Sequence, residues 1–501
     1  MSARTRQTFF SRCTLATVLA CLTLASACAV GPNFHRPDAP PVTQYTHRAD
    51  PTATATVDGT AQRFHVGESV AIDWWRLFHS AQLDGIVADA IAHNPGLDAA
   101  QASLRASQDN LRSGYGIFYP NIDADVGATR ERYTPANAGQ NSPGTVFNLF
   151  TLSTSVSYAL DIFGGQRRLV EGLRAEVDVA HANEQAAHIV FAANIVNTVI
   201  AKAAYRAEVD ATVQLIDLQK EQVQLGEVQA QAGTIPYSTV LSLRGQLASY
   251  QAAIPQLEQK FTQSAHLLAA LTGHVPAQWT APAVNLSDLT LPSDLPVSLP
   301  SALVRQRPDI LAAEAVAHAA SANIGVATAA LLPNFTLTGG LEAATNSTTR
   351  LFPANGKAWS AGADATAPLF EGGTLWYKRK AAMDSYTQTM ALYRQTVLGA
   401  FEQVADTLRA LDHDAQTLLA QEEALAAAEQ ALRLVQANYR AGLATYLDVL
   451  NADAQYHQAT IAEIQAVAVR YQDTVALIAA LGGGWWNTEP GKAGAAASSA
   501  R

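Results

Sequence analysis

"LLPNFTLTGG", Leu331 to Gly340, follows a long alanine-rich helical run and alternates without a break. Phe335, Leu337 and Leu341 fall on one side of an extended chain, and Asn334, Thr336 and Thr338 on the other. A helix ended by proline therefore runs into a strand with one apolar and one polar face. "FYPNIDADVG", Phe118 to Gly127, has the same form: Ile122, Ala124, Val126 and Ala128 alternate with Asp123, Asp125 and Thr129. Two more segments follow suit. Leu152, Val156, Tyr158 and Leu160 alternate with Ser153, Ser155 and Ser157, while Trp359, Ala361, Ala363, Ala365 and Leu369 alternate with Ser360, Gly362, Asp364 and Thr366. The expected strand pairs are Asn121–Tyr133 with Phe147–Leu160, and Asn334–Thr345 with Trp359–Leu369.

Strands of about ten residues, apolar on one face and small-polar or acidic on the other, fit an outer-membrane barrel. The same alternation fits a soluble sheet half-buried against helices, and the alanines argue mildly against strong lipid contact. Four strands do not close a barrel, and an open sheet edge does not survive in hydrocarbon. If these strands span a membrane, several chains share one barrel. About eight strands make the smallest closed barrel, so at least two copies are needed.

Working outward, the chain is written twice with a period near 210 residues. "NPGLDAAQASL" at Asn94 answers "RPDILAAEAVA" at Arg307, and "YALDIFGGQRR" at Tyr158 answers "APLFEGGTLWY" at Ala367. "QAGTIPYSTVLSL" at Gln231 answers "RAGLATYLDVLNA" at Arg440, and "LLAALTG" at Leu267 answers "LIAALGG" at Leu477. Such a period is too long for a solenoid unit. Each half opens with a helix, Asn94–Tyr119 or Pro308–Leu332, followed by its strand pair. Gly164-Gly165 or Gly372-Gly373 then marks the exit into a long proline-free run: residues 144–235 and 369–489 contain no proline. Between Gly373 and Arg440, Met390, Val397, Val404, Leu411, Leu418, Leu425, Leu432 and Tyr439 recur every seven residues. That is the seam of a helix supercoiled against neighbours, about 100 Å long. An antiparallel coiled-coil hairpin of no particular function carries the same heptads.

The 501 residues contain 7% aromatic and 15% charged residues, a profile of long helices with thin seams rather than one thick core. A net charge of −10 without a basic stripe argues against nucleic acid as a partner. No apolar run after residue 30 approaches the roughly 18 residues of a membrane-spanning helix. The N-terminus reads as an export signal: Arg4, Arg6 and Arg12 precede "CTLATVLACLTLASA". Cys13, Cys21 and Cys28 all lie in or beside this segment, so the exported remainder has no disulfide framework. "LASAC" at Cys28 resembles a bacterial lipobox, with Ala25 where leucine is usual; "VLAC" at Cys21 fits that small pattern slightly better. Acyl chains on such a cysteine would anchor the protein by about 0.8 kcal/mol per buried CH₂.

The ordered set of landmarks resembles the outer membrane factors of bacterial efflux pumps, the TolC and OprM class, and within it the NodT-type lipoproteins. The landmarks are "CAVGPNFHRPDAP" at Cys28, "DWWRLFHSAQLDGIV" at Asp73, "ALDIFGG" at Ala159 and "LVRQRPDILAAEAVAHAASANIGVATAALLPNFTL" at Leu303. They continue with "PLFEGG" at Pro368, "FEQVAD" at Phe401, "YRAGLATYLDVLNA" at Tyr439 and "ALGGGW" at Ala480. The resemblance covers essentially the whole exported chain. It favours Cys28 as the lipidated residue, carrying N-acyl and S-diacylglycerol groups, because the family's cysteine directly precedes a "GP…RP" segment. No other cofactor is implied.

The resemblance implies an α+β membrane protein acting as a homotrimer in the outer membrane, with most of its mass in the periplasm. Each chain would give four strands to a twelve-stranded barrel and its long helices to a coiled-coil tunnel. The expected division is a signal peptide at 1–27, an N-terminal equatorial segment at 28–93, repeat one at 94–273, a proline-rich equatorial link at 274–307, repeat two at 308–486, and a disordered tail at 487–501. The implied partners are outer-membrane lipid, a periplasmic adaptor and an inner-membrane transporter, usually of the resistance-nodulation-division type. Substrates would cross a gated exit duct passively.

The helical turns at "QAGTIPYST" and "RAGLATYLD" would form the periplasmic tip. In the family, the pair matching Tyr439 and Arg440 helps link neighbouring helices so that the tip stays closed. Asp448 matches a common family aspartate. Asn451 stands where many relatives carry an acid, which argues against a strongly charged constriction there, and Asp453 follows two residues on. Arg440 also reads as an ordinary helix-end cation, and Asp453 reads more naturally as part of a solvated face. Asp123, Asp125 and Asp364 would line the pore, where rings of acid favour cations; acids that merely keep an inward face wet are an equal alternative.

Enzyme motifs are missing: there is no G-x-S-x-G, no H-E-x-x-H and no phosphate-binding glycine loop. Twelve histidines are scattered without ligand spacing, so no metal site is expected. In "LDHDA" at Leu411, Asp412, His413 and Asp414 are adjacent and splay apart on a helix, which reads as a solvated face. Two readings thus stand: an efflux channel, and a lipid-tethered periplasmic coiled-coil spacer without a pore. The amphipathic strand pairs favour the channel.

Overall fold

The structure is a computed structural model and describes residues 29–47, 49–57, 59–134, 143–350 and 357–486. The expected signal segment 1–27, Cys28 and the tail 487–501 lie outside the described residues. Two compact units are present, one of residues 1–37, 103–180 and 313–393, the other of residues 38–102, 181–312 and 394–501.

The duplication is visible as matched elements. Helix α2 (Pro95–Gly114), strands β2 (Asn121–Tyr133) and β3 (Thr145–Leu160), and helices α3 (Gly165–Gln231) and α4 (Tyr237–Leu271) make the first half. Helix α6 (Pro308–Ala329), strands β5 (Asn334–Thr345) and β6 (Lys357–Thr366), and helices α7 (Thr374–Arg440) and α8 (Tyr446–Ala480) make the second. Helices α3 and α7 both have 67 residues, and α4 and α8 both have 35. Equal lengths after so much sequence divergence mean that the spacing between sheet and turn is what the fold preserves. Some boundaries differ from expectation. Helix α2 stops at Gly114 and tightens into a 3-10 turn, Tyr115–Phe118, because Pro120 biases Tyr119 toward extended backbone. Strand β6 ends at Thr366 rather than Leu369, since Pro368 cannot donate to a ladder.

The first unit is organised by an antiparallel sheet in the order β2-β3-β5-β6, so the two repeats join where β3 pairs with β5. Register keeps side-chain parity across all four strands. Asp123 lies opposite Ser155, Ser155 opposite Gly340, and Gly340 opposite Ser360. One face therefore carries the polar set and the other the apolar set. The chain after Cys28 is clamped at the foot of this sheet. Val30 donates to the Phe163 carbonyl at 2.9 Å, and buried Arg168 donates to the Val30 carbonyl (3.2 Å) and to Asn33 Oδ1 (2.7 Å). Gly31 has φ +93°, and a Cβ there would lie 2.5 Å from Gly325 Cα, so only glycine fits against α6. Phe34 stacks on His318 with ring centroids 4.6 Å apart.

The second unit holds the rest. Helix α1 (Ala81–His93) is capped by Ser80, whose hydroxyl accepts from the Leu83 N–H, and it buries Leu83, Ile86, Val87 and Ala90 at helical spacing. Trp74 and Phe78 fill the core before it. Strand β1 (Arg63–Val66) pairs in parallel with β4 (Asp294–Val297), which is followed by short helix α5 (Pro300–Gln306). On α7 the heptad residues Val397, Val404, Leu411 and Leu418 are buried, whereas Leu425, Leu432 and Tyr439 are only partly so. Arg307, the arginine of "RPDI", is buried; it makes a two-pronged bond to Asp309 (3.0 and 2.6 Å) and donates to Gln403 Oε1 (2.9 Å) and to the Ala480 carbonyl at the end of α8 (3.0 Å). Helices α3 and α6 each contain a window long and apolar enough to cross a membrane by composition, reached by averaging over alanines rather than by an unbroken apolar run. About half of each window, 56% and 50%, is buried within the protein.

Candidate functional site: the sheet's polar face and the hairpin turns

The ladder register decides how the strand acids are arranged. Asp123 and Asp125 on β2 fall opposite Ser155 and Ser153 on β3, and Asp364 on β6 falls opposite Thr336 on β5. By parity all three share one face, together with Ser157, Thr338 and Ser360. Glu342, opposite Ser153, and Glu131, opposite Phe147, belong to this face as well. Sequence reading passed over both glutamates, although their alternation with Leu341 and Arg130 was a usable signal.

The opposite face carries Ile122, Val126, Val156, Leu337, Leu341 and Trp359, and it is uncovered: Val126 is 84% exposed and Trp359 78%. Arg130, Arg132 and Lys357 close the apolar band at its far end. After β6, Phe370, Trp376 and Tyr377 stand exposed. The band is thus bounded by basic residues at one end and followed by exposed aromatic residues at the other, which suits a lipid-facing wall. Strands β2 and β6 each have an unpaired edge among the described residues.

The two hairpin turns are built alike. Thr234 donates to the Gln229 carbonyl (2.9 Å) and Leu443 to the Asn438 carbonyl (2.8 Å), with Gly233 at φ +71° and Gly442 at φ +75°. These are glycine C-caps. Nothing lies within 4 Å of a Cβ at either position, so left-handed backbone rather than crowding requires the glycine.

Beside the turns, Tyr439, near the end of α7, donates through its hydroxyl to Gln229 Oε1 near the end of α3 at 3.0 Å, and its ring meets Tyr446 edge-on. Val223, Leu243, Tyr446, Val449 and Leu450 form an apolar cluster against which Tyr439 packs. Burial, then the nearby Asp453 charge, holds the Tyr446 hydroxyl well above the usual phenol range.

Two of the remaining expected tip residues are engaged by neighbouring side chains. Asp448 is the N3 member of a capping box. Its carboxylate accepts from the Thr445 N–H (2.8 Å) and hydroxyl (2.6 Å), which hold its pKa below the usual range. Asp453 is not part of a solvated face: it is partly buried and accepts from the Tyr250 hydroxyl of α4 at 3.3 Å. Burial raises its pKa, and the same pairing, after burial, pushes Tyr250 up to about 12. Arg440 and Asn451 are exposed. Gln229, Tyr446 and Tyr250 were missed in the sequence. Their partners lie 203 to 224 residues away, so only the period of the duplication hinted at them.

The solvated reading of "LDHDA" also needs correction. Asp414 is partly buried and faces Asp473 of α8; burial, then the hydrogen bond and charge of Asp473, push Asp414 up to about 7. Nor are the histidines all scattered, for His93 and His274 meet beside Asp89.

This geometry coincides with a known family: residues 86–274 and 299–483 match the profile described as outer membrane efflux protein. The chain belongs to the outer membrane efflux protein family. The efflux protein is 28% identical over 434 residues to the pyoverdine export outer membrane protein OpmQ of Pseudomonas aeruginosa, covering 85% of this chain and 91% of that one. It is 25% identical to the probable outer membrane lipoprotein SilC of Salmonella typhimurium, covering 92% and 96% of the two chains. The solved structure of the outer-membrane channel OprN superposes with a TM-score of 0.82 at 27% identity, covering 91% of this chain and all of the other. The efflux protein is accordingly an outer-membrane protein with its bulk in the periplasm. Members of its family are efflux channels that work in pumps with an adaptor and an inner-membrane transporter.

Proposed function

We propose that three copies of the chain share one twelve-stranded barrel and form the passive, gated exit duct of a tripartite pump. The observation that carries this reading is the four-stranded sheet, apolar and exposed on one face, acidic on the other, and unpaired along both edges. Such edges are tolerated in lipid only when β6 of one chain pairs with β2 of the next. The polar face then lines a pore in which Asp123, Asp125 and Asp364 each recur three times and favour cations.

Cys28 carries the acyl anchor in this reading. Its neighbour Ala29 packs against Gly164, four residues beyond the end of β3, so the anchor emerges at the foot of the barrel. An adaptor docks on the helical part, and the inner-membrane partner is a transporter of the resistance-nodulation-division type. The turns form the closed tip, with the Tyr439–Gln229 bond as one of its latches and exposed Arg440 available to a neighbouring chain.

Single-channel recording in planar bilayers tests the gate. Tyr439→Phe removes one hydrogen bond worth about 0.5–1.5 kcal/mol and is expected to raise the open fraction by about 2–13-fold. Arg440→Ala is expected to act in the same direction. Unchanged recordings for both variants would sink the assignment of the latch.

A further inference from the structure

His93 ends helix α1, and His274 lies just beyond α4. The two are 181 positions apart in sequence, yet their ring centroids are 5.7 Å apart. Asp89, one turn before His93, stands between them: Oδ1 lies 2.9 Å from His93 Nδ1, and Oδ2 lies 3.1 Å from His274 Nε2. Each of the three side chains offers a ligand atom, and all these atoms lie within 4.8 Å of one another.

The cluster is held in place by its surroundings. Gly273 has φ +74°, and a Cβ there would lie 2.2 Å from the His93 carbonyl oxygen, so the chain passes too close for any other residue. This approach fixes His274 against the end of α1. The His274 ring also stacks on Trp279 at 5.6 Å with the planes 16° apart.

We propose that Asp89, His93 and His274 bind a divalent transition-metal ion and that the ion clips the end of α1 to the segment behind α4. Two imidazoles and one carboxylate suit zinc, nickel or copper, not magnesium or calcium, which take all-oxygen shells. In a tetrahedral zinc site with bonds of about 2.0–2.1 Å, donor atoms stand about 3.3 Å apart. The three donor atoms, one from each residue, lie within 4.8 Å of one another, and side-chain rotations bring them to that spacing. Three protein ligands leave one position for water, and the partly exposed side chains leave a path to it, so the ion is exchangeable. Closing a connection of this length restrains the unfolded chain as well as the folded one.

The test uses the full-length, tag-free protein in mild detergent, stripped with chelator and titrated with Zn²⁺ by calorimetry. One ion per chain is expected, with a rise in the thermal unfolding midpoint and no response to Mg²⁺. His93→Ala and Asp89→Asn should each weaken binding at least about tenfold and abolish the thermal shift. His93 is exposed, so its removal leaves the packing intact and unchanged circular dichroism serves as the control. Absence of binding in the micromolar range, or zinc bound equally well by the His93→Ala/His274→Ala double variant, would overturn the assignment.

Discussion

The register of β2 turns the lipid-facing assignment into a contrast between two neighbouring residues. Val126 and Asp125 are adjacent at the middle of the strand, and parity places them on opposite faces. Val126 is 84% exposed in the isolated chain, so substituting it disturbs no packing within that chain. If its face meets hydrocarbon, Val126→Arg puts a guanidinium near the bilayer midplane at a cost of about 2–4 kcal/mol. That is about a 30–800-fold shift in the folding equilibrium. Asp125→Arg adds the same side chain one residue away, on the face that meets pore water, where the cost is about 0–0.5 kcal/mol. The assay is urea-dependent folding of each variant into phospholipid vesicles, with the fraction inserted read from the gel shift of unheated samples. A midpoint that falls sharply for Val126→Arg and barely for Asp125→Arg is expected. Equal effects, or a larger effect for Asp125→Arg, would refute the facing of the whole sheet, because register ties the other strands to β2.

Two further outcomes follow from buried charges in the helical unit. Asp414 has its folded pKa raised to about 7, above the unfolded value of about 4, so its contribution to stability is complete below pH 4 and is lost as pH rises through 7. Three pKa units correspond to about 4 kcal/mol, which solvent screening of this partly exposed pair reduces to about 1–2 kcal/mol. Asp414→Asn, which donates permanently to Asp473, is expected to stabilise the protein at pH 8, to change little at pH 4, and to flatten the melting temperature between them; a parallel pH profile would contradict the pairing. Arg307→Ala removes the fork on half-exposed Asp309 and the cap on the Ala480 carbonyl, and is expected to cost about 1–3 kcal/mol in chemical unfolding. Arg307→Lys should recover only part of that, because a point charge cannot span both carboxylate oxygens. A loss below about 0.5 kcal/mol in Arg307→Ala would show that the buried network is replaceable.

Much of the architecture was readable in the chain because the two determinants involved are local. Alternation at Asn334–Thr345 and Asn121–Tyr133 located both strands to the residue, since period two is a property of the strand itself. The heptads from Met390 to Tyr439 marked one unbroken helix, and Pro333 marked the break between helix and strand. What escaped was the identity of partners. A heptad position says that a residue faces a neighbouring helix but not which one, so Asp453 and Asp414 looked solvated although Tyr250 and Asp473 stand against them. Asp89 and His93 share a helix face at i, i+4, a visible pair, but His274 joins them only through the fold. At the tip, the capping-box role of Asp448 with Thr445 is an additional local feature that the family resemblance does not express.

The native mass of the mature protein, extracted from outer membranes in mild detergent and corrected for bound detergent, tests the shared barrel most directly. A mass of three chains is the predicted result, with each β6 edge closed by the next chain's β2. A single-chain mass would leave two open edges that no bilayer tolerates, and the chain would then be a tethered periplasmic spacer rather than a duct.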